Sequence, residues 1–471
     1  MLCLLSLGTS AQTTFLNWDS PLDVNAEDQG TLRPRIVLNG DGDPVVLWGA
    51  FSPAANYVAV GNGASFAPRI EVSTADVIPA VAEWMGSSIA SAGNVVWVVM
   101  KATPEESRPV YVRRSDDGGY TWGDTVRVEP YDGLVSRFPS IDASDPEMPL
   151  VQYMQFDSGY YGARQVVSRM MGGSFMAPVQ VSTPFAPGEV CDCCPNQVLV
   201  RGNTAVTLYR NAGGNIRVMW GASSLDGGSS FPNGSVVDNT AWPLDACPSS
   251  GPDGYLTGDS VRYVWMSGAD NGTKVYVGSG QASDLSLGGQ RLVQPGEAQN
   301  TQQNFPRIAG SGDTLGVVWQ QSQAGQYEIL FSWSVTGMAG LSEPDTVNMD
   351  LMGPQKTPDI DYANGAFHIV WSESATGQVR YRRAVLNNIV SVPALSGGAS
   401  RTMIWPNPTE DRLTIQGDWT VAELLDVRGR SIRRERLRSR SMAVGDLEPG
   451  IYLLRLTDPS GRTTTQRFDK R

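Results

Sequence analysis

The sequence of 471 residues contains a single histidine, His368. This count excludes a metal site with several histidine ligands, and any histidine-based catalytic triad would have to use this one residue. His368 falls inside a predicted strand, so we interpret it as a strand residue that faces a neighbouring side chain. The sequence predicts no cofactor.

Positive charge and long apolar runs are also scarce. The net charge is −12, and no basic stripe is present that could neutralise phosphates, which excludes a nucleic-acid partner. Beyond the N-terminus, no run of about 18 apolar residues predicts a transmembrane segment. Residues 1–11 are apolar and end with the small residues Thr9 and Ala11, which indicates a signal peptide that lacks its basic start. We therefore expect an exported protein.

Glycine and proline are abundant, with 51 and 30 copies, and short apolar runs lie between them. One sequence pattern recurs: a tight turn followed by a strand of β-branched residues that carries an aromatic side chain. Repeats at a period of roughly 50 residues are typical of four-stranded propeller blades. Seven units predict an all-β β-propeller over residues 12–395, with six blades as the alternative. The aromatic residues are Trp48, Trp97, Tyr153, Tyr209, Trp265, Trp319 and Trp371.

Two further patterns complete the propeller. The segment around Trp18 is typical of an outermost strand, so we expect the N-terminus to complete the last blade and cover its open edge. An inner strand is predicted to start just after a proline in five units, where the sheet needs no N–H donor. These prolines are Pro34, Pro139, Pro195, Pro306 and Pro358.

Two turns carry the pattern S-x-D-x-G-x-[ST]-aromatic. The aspartate can accept backbone N–H groups across the turn, and the glycine can take a left-handed conformation. The pattern resembles the Asp-box of sialidases and of other proteins with bacterial neuraminidase repeats. That resemblance implies a structural role at the blade periphery. The residues are Ser115, Asp117, Gly119, Thr121 and Trp122 in the first box, and Ser224, Asp226, Gly228, Ser230 and Phe231 in the second.

Residues 396–402 are small and are predicted to form a linker to a domain at 403–471. From Arg401 onward there are 14 Lys or Arg against 10 Asp or Glu, a net charge of +4. Alternating strands and Gly turns predict a small Ig-like β-sandwich. The motif order P-N-P, D-x-x-G-R and L-x-x-G-I-Y resembles the type A C-terminal sorting domain of the Bacteroidetes type IX secretion system. The resemblance implies that this machinery is a partner and that the protein is secreted or attached to the outer cell surface.

The sialidase resemblance also implies where a ligand would bind, at the axial mouth. Sialidases hold a sugar carboxylate with three arginines and use a Tyr nucleophile, a Glu that assists it and an Asp acid. Here Arg137-Phe138-Pro139 retains the R-x-P spacing of the family motif. The candidates are Arg35, Arg137, Arg210 and Arg307 for the carboxylate, and Tyr209, Glu83 and Asp142 for catalysis.

Four of the five cysteines remain after signal cleavage: Cys191, Cys193, Cys194 and Cys247. An even number in an exported protein favours disulfides, and we expect at least one bridge from Cys247 to the other three. Cys194 with Cys247 would close a loop of about 53 residues. Cys191 with Cys247 and a vicinal Cys193–Cys194 bridge is an alternative, and a thiolate metal site with Asp192 is another.

Two functions follow as hypotheses. The first is a non-catalytic propeller that binds a glycan or another surface ligand at the axial mouth. The second is an exo-sialidase that cleaves terminal acidic sugars. The first is favoured because the motifs that define the enzyme are incomplete.

Overall fold

The computed structural model describes residues 13–26, 29–182, 188–296, 301–323, 325–350, 352–389, 404–427, 429–459, 461 and 463–471. The chain divides into two compact units, one of which is Thr13–Ile389 and the other of which contains the C-terminal residues. The predicted signal peptide (1–11) and linker (396–402) lie outside the described residues.

Strands dominate the first unit because its sequence alternates β-branched runs with Gly turns. The N-terminal strands are β1 (Thr13–Trp18) and β2 (Leu22–Asp23). Six groups follow in order: β3–β6 (Leu32–Leu38, Pro44–Phe51, Ala54–Val60, Ile70–Glu71), β7–β10 (Ser88–Ala92, Val95–Lys101, Val110–Ser115, Val126–Arg127), β11–β15 (Val135–Asp142, Leu150–Asp157, Tyr161–Met171, Ser174–Phe175, Val179–Gln180), β16–β20 (Gln197–Arg201, Thr204–Asn211, Ile216–Ser224, Asn233–Val236, Trp242–Pro243), β21–β24 (Asp253–Thr257, Ser260–Ser267, Gly272–Gln281, Leu287–Leu292) and β25–β28 (Thr301–Ser311, Thr314–Gln323, Gln326–Ser334, Asp345–Thr346). The last group is β29–β31 (Gln355–Ala363, Ala366–Glu373, Gln378–Ile389).

Pairing within each group is antiparallel and mostly between successive strands, although β15 pairs with β13 and β20 with β18. A short parallel contact between β23 and β25 joins two groups. The last group is completed by the N-terminus, because β1 pairs with β31 from Thr13↔Ile389 to Trp18↔Ala384. The predicted closure is therefore confirmed, and so is the all-β propeller fold. Among the described residues the strands of this unit form seven such groups, and the number of blades stays a prediction.

Helices are minor. The described residues contain two short 3₁₀ turns, Gly213–Asn215 and Met338–Gly340. None of the described helical segments has the length and apolar character needed to cross a membrane.

The seven periodic aromatic residues all lie in the second strand of their group, and each is at most 2% exposed. Hydrophobic clusters combine residues of adjacent groups; one of them packs Val45 and Leu47 of β4 with Val96 and Val98 of β8. Burial of one large apolar side chain stabilises a fold by about 1.5–3 kcal/mol. The repeat pattern therefore marks the positions that hold neighbouring sheets together.

The predicted strand starts require a correction. Four of the five prolines lie inside their inner strands, directly after a residue with positive φ, and the register shifts there. Proline is tolerated at such a β-bulge because the bulged residue is unpaired. The bulged pairs are Arg33-Pro34, Phe138-Pro139, Phe305-Pro306 and Thr357-Pro358, with φ of 45°, 52°, 50° and 48°.

The second unit contains two sheets that share one core. The strands are β32 (Ile404–Trp405), β33 (Arg412–Ile415), β34 (Val421–Leu425), β35 (Ser431–Arg436), β36 (Ser441–Ala443), β37 (Gly450–Thr457) and β38 (Thr463–Lys470). The sheet orders are β32-β33-β36 and β35-β34-β37-β38. Leu413 of one sheet packs with Leu424, Leu454 and Phe468 of the other, which gives the predicted sandwich.

The recurring motifs of this unit make specific contacts. Asn407 of the P-N-P motif accepts the N–H of Asp469 at 2.9 Å and thereby binds the final strand. In D-x-x-G-R, the Asp426 carboxylate accepts the N–H of Arg430 at 2.9 Å and its Nε at 2.7 Å. Tyr452 donates to the Glu448 carbonyl at 2.9 Å across the third motif. Residues of each motif thus make hydrogen bonds that hold a turn or the edge of a sheet.

Candidate functional site

The bulges place side chains from several inner strands around two small cavities. These cavities measure about 10 and 30 Å³, so each holds a group no larger than a water molecule. Arg33, Arg35 and Arg307 line both of them, and in the part of the chain that the structure describes no acidic side chain lines either. We call these three residues and the two cavities the arginine pocket.

Arg33 is the least satisfied member of the pocket. It is 7% exposed, and its Nη1 atom is buried without a hydrogen-bond partner. The guanidinium lies 5.8 Å from the centre of the Phe305 ring. Burial, followed by repulsion from Arg35 and Arg307, holds the pKa of Arg33 well below its usual value. An anion in the pocket would relieve both effects.

Arg35 and Arg307 follow the bulge prolines Pro34 and Pro306, and so occupy equivalent positions in two inner strands. Arg35 donates from Nη1 to the Pro34 carbonyl at 2.8 Å, and burial followed by repulsion from Arg307 lowers its pKa to about 10. Arg307 is paired, with Asp253 at 3.3 Å from Nη1 and Asp359 at 3.6 Å from Nε. Asp359 favours the charged forms of Arg33 and Arg35, but burial and the neighbouring arginines outweigh this and lower both pKa values.

A wider cavity of about 480 Å³ adjoins the arginine pocket and shares Arg35 and Arg307 with it. Its acidic lining consists of Asp142, Asp253, Asp359 and Asp361, and we call it the aspartate cavity. Each of these carboxylates accepts a backbone N–H from the inner strand of the next group. The donors are Val200, Ile308, Ile36 and Leu38, at 2.8, 2.9, 3.0 and 2.8 Å respectively.

Burial dominates the acid–base behaviour of the aspartate cavity. It raises the pKa of Asp142 and of Asp253. Burial likewise raises the pKa of Asp361 to about 6. The backbone N–H groups of Tyr362 and Leu38 lower this pKa, but burial outweighs them. These side chains act first as links between neighbouring strand groups.

Of the arginines suggested by the sequence, the structure brings together Arg35 and Arg307. Arg210 is 1% exposed and donates to the Ser250 and Met266 carbonyls at 3.3 and 2.7 Å, while its Nη1, like that of Arg33, is buried without a partner. Arg137, which carries the R-x-P spacing, pairs with Glu105 and lies 4.5 Å from the Tyr160 ring centre. Neither of these two lines the arginine pocket.

Arg33 is the member that the sequence interpretation left out of its candidates. Its position before Pro34 matches Phe138, Phe305 and Thr357 in other units, so its place in the repeat alone does not mark it as a site residue. The R-P-R spacing of residues 33–35 was the available signal, because a bulge at the proline turns both arginines toward the axis.

The catalytic candidates do not converge. Tyr209 is fully buried in a hydrophobic cluster and its hydroxyl has no partner. Glu83 has a side chain that is 69% exposed and that pairs with Lys356 at 3.3 Å. Asp142 binds Val200 and Ser144 with its two carboxylate oxygens. The Tyr, Glu and Asp roles implied by the sialidase resemblance are not assembled by these three residues.

The two Asp-box segments form the turns between the third and fourth strands of their groups. Asp117 accepts from Thr121 N at 2.8 Å and from Thr121 Oγ1 at 2.6 Å, while Ser115 Oγ accepts from Gly119 N at 2.9 Å. Gly119 has φ +103°, and a Cβ there would lie 2.9 Å from Val45. Trp122 packs on the hydrophobic cluster of the first two groups.

The second box repeats these contacts. Asp226 accepts from Ser230 N at 2.9 Å and from Ser230 Oγ at 2.6 Å, and Gly228 N donates to Ser224 Oγ at 2.9 Å. Phe231 is buried in a hydrophobic cluster. None of the residues of either box lines the arginine pocket or the aspartate cavity.

The four cysteines lie together beside the arginine pocket. The structure pairs Cys191 with Cys194 and Cys193 with Cys247, with Cα–Cα distances of 5.5 and 6.1 Å. This arrangement differs from both pairings considered above, although Cys247 does pair with one of the other three, Cys193. The sulfurs of Cys191, Cys193 and Cys194 all lie within 4.8 Å of one another, so a thiolate metal site is the competing interpretation. The covalent state stays a prediction.

Comparisons with known proteins address both units. Residues 403–469 match the family model of the secretion system C-terminal sorting domain. This confirms the predicted sorting domain, and a protein that carries it is secreted or attached to the outer cell surface. No curated protein matches the sequence.

Several solved structures are similar. A PL25 ulvan lyase bound to -[GlcA(1-4)Rha3S]- has a TM-score of 0.52 at 9% identity, over 77% of this chain and 95% of that chain. PorZ, a surface component of the type IX secretion system of Porphyromonas gingivalis, has a TM-score of 0.43 at 13% identity, over 95% and 60%. The sialidase of Trypanosoma rangeli has 0.42 at 11%, over 96% and 89%. At these identities the likeness extends to the fold alone.

Proposed function

We propose that this protein is a surface-exposed β-propeller that binds the acidic group of a glycan in the arginine pocket. One observation carries the proposal: Arg33 Nη1 is buried without a partner, beside Arg35 and Arg307, where none of the described acidic side chains lines the cavities. Burying a cation without a partner is costly, so a site that retains one is typical of ligand binding. Arginine presents a planar fork that suits carboxylate and sulfate oxygens.

The size of the two cavities defines the binding mode. Each cavity of the arginine pocket has room for one oxygen of an acidic group, whereas the aspartate cavity has the volume of a small-molecule site. Arg35 and Arg307 face both. The acidic group would therefore contact the arginines, while sugar hydroxyls would donate to oxygens of the aspartate cavity.

Calorimetric titration of the purified propeller tests this proposal. The probes are N-acetylneuraminic acid, glucuronic acid and a 3-sulfated rhamnoside, with galactose as the neutral control; the ulvan lyase ligand motivates the second and third. Loss of a hydrogen bond to a charged group costs about 1.5–3 kcal/mol, so Arg33→Gln should weaken binding of an acidic sugar about tenfold to a hundredfold. Arg137→Gln, outside the pocket, is the matched control and should bind normally. Equal affinity for galactose and the acidic sugars would refute the proposal.

Exo-sialidase activity is the second candidate, because three arginines do meet in one place. Among the described residues, however, no glutamate lines the arginine pocket or the aspartate cavity, and Tyr255 is the one tyrosine in the aspartate cavity. Burial raises the pKa of Tyr255 to about 12, which disfavours its use as a nucleophile. We expect no turnover of a fluorogenic sialoside. Turnover that Tyr255→Phe abolishes would establish the enzyme instead.

We also propose that the sorting domain directs export, with the type IX machinery as its partner. The propeller unit has hydrophobic clusters of its own, so it should fold without the tail. In a host with type IX secretion, deletion of residues 401–471 should leave a folded propeller in the periplasm. Normal surface display of the truncated protein would contradict this assignment.

A further inference from the structure

The two cysteine pairs differ in access to solvent although they share one cluster. Cys191 and Cys194 are each 1% exposed. Cys247 is exposed and Cys193 is half-buried. A thiol in solution can therefore reach the Cys193–Cys247 pair, while the protein shields the Cys191–Cys194 pair.

The accessible pair joins two segments that form one wall of the arginine pocket. Pro195, two residues after Cys193, lines both cavities, and Ser250 and Gly251, just after Cys247, line the smaller one. Gly251 lies so close to Pro195 that a Cβ there would be 2.2 Å from the Pro195 carbonyl oxygen. The wall therefore depends on close contact between the two segments.

Few other contacts hold the second segment. In this described stretch, residues 245–252 make no backbone–backbone hydrogen bond; Leu244 N bonds to Asn215 O before the segment, and β21 begins directly after it at Asp253. Two arginines reach it from outside, Arg217 to the Ala246 carbonyl at 3.2 Å and Arg210 to the Ser250 carbonyl at 3.3 Å. Burial holds Ser250 and Pro252, so the pairing with Cys193 is the cross-link that restrains the exposed part of the segment, residues 245–247.

We propose that Cys247 is a thiol-exchange site through which a small thiol controls the arginine pocket, an inference that rests on the proposed function. A thiolate attacks Cys247 Sγ, the Cys193–Cys247 bond breaks, and the electron pair leaves on Cys193 Sγ, which takes up a proton. The product is a mixed disulfide at Cys247. A second thiol molecule displaces the first as a small disulfide and leaves both cysteines reduced. Residues 245–252 then lose their restraint, and the pocket wall loosens.

The first experiment follows the chemistry and needs no ligand. The folded, full-length protein is treated with reduced glutathione, alkylated and analysed by mass spectrometry. Glutathione should appear on Cys247, and alkylation on Cys193 and Cys247, while Cys191 and Cys194 remain bonded. Equal labelling of all four cysteines overturns the exchange site. Four free thiols with a stoichiometric metal ion before treatment overturn it as well.

The second experiment measures the consequence. Hydrogen exchange of residues 245–252 should rise in the Cys193→Ser/Cys247→Ser variant, and affinity for the best acidic sugar should fall about tenfold because binding must order the wall. The Cys191→Ser/Cys194→Ser variant is the matched control and should keep slow exchange in 245–252. Unchanged exchange there overturns the proposal, and so does faster exchange with unchanged affinity.

Failure of the proposed function gives a different pattern. In that case neither the oxidised nor the variant protein binds an acidic sugar, and the link to ligand binding is overturned. The labelling and hydrogen-exchange results still decide whether Cys247 is an exchange site that restrains residues 245–252.

Discussion

The arginine pocket and the aspartate cavity adjoin each other, but their charged side chains differ in whether they have hydrogen-bond partners. In the aspartate cavity each carboxylate accepts a backbone N–H of the next strand group. In the arginine pocket Arg33 retains a buried, unpartnered Nη1. Paired groups stabilise a fold, whereas unpaired ones reduce its stability and are retained where a ligand supplies the missing partner. If the proposed function holds, the comparison separates structural charge from charge that serves binding.

The largest expected effect is that of Asp359→Ala. Asp359 connects the last strand group to the first through Ile36 N at 3.0 Å, and it faces Arg307 at 3.6 Å. Removing one partner of a buried ion pair costs about 3–5 kcal/mol. Urea unfolding should show a loss in the free energy of unfolding of that size. Asp359→Asn keeps an acceptor for Ile36 and should lose less; a loss below about 1 kcal/mol for Asp359→Ala would show that this aspartate is not structural.

A smaller loss in the free energy of unfolding is expected when the carboxylate of the second Asp-box is removed. This carboxylate lies outside both the arginine pocket and the aspartate cavity. Asp226→Ala removes three hydrogen bonds from Ser224 and Ser230 at a largely exposed turn, and should cost about 1–2 kcal/mol. Hydrogen bonds from Ser230, then from Ser224, lower the pKa of Asp226 to about 2. Since its folded pKa lies below its unfolded value, its stabilising contribution is present above about pH 4 and is lost as the pH falls toward 2.

Thermal unfolding of Asp226→Ala and the parent protein across pH 2–5 checks this. The difference between them should shrink as the pH falls. A difference that is constant with pH would mean that the carboxylate charge does not contribute. Anion binding should be unchanged in this variant, because the box lines neither cavity.

His368 is a buried titratable group with a hydrogen-bond partner, and its protonation should make stability depend on pH. Its Nδ1 lies 2.8 Å from the Tyr381 hydroxyl, and burial followed by Arg383 lowers its pKa to about 4. The unfolded chain therefore binds more protons between pH 4 and 6.5, so stability falls as the pH falls through this window. Between pH 7 and 6 the loss should be about 0.7 kcal/mol for this group. His368→Gln should remove this slope; an identical pH profile for parent and variant would contradict the assignment.

The sequence predicted the repeat, the closure by Trp18 and the sorting domain, because each depends on local patterns. Trp48 and its six equivalents mark the same strand in every unit, and the P-N-P and D-x-x-G-R motifs encode their own turns. It did not predict Arg33, because a bulge at Pro34 decides where this side chain points. Nor did it predict that Arg137 would pair with Glu105, since that contact joins residues 32 positions apart. Long-range convergence at the axis is set by the fold, which a single sequence does not display.

Arg33→Gln is expected to have the smallest effect on stability, although it has a large effect on binding. Glutamine removes a buried charge that repels Arg35 and Arg307 and an Nη1 atom that has no partner, while it keeps a polar side chain of moderate length. Relief of repulsion offsets the lost contact with Phe305, so the free energy of unfolding should stay within about 0.5 kcal/mol of the parent value or rise. Urea unfolding without ligand measures this directly. A loss of more than about 2 kcal/mol would place Arg33 with the structural charges of the aspartate cavity, and the distinction between the two ends of the channel would fail.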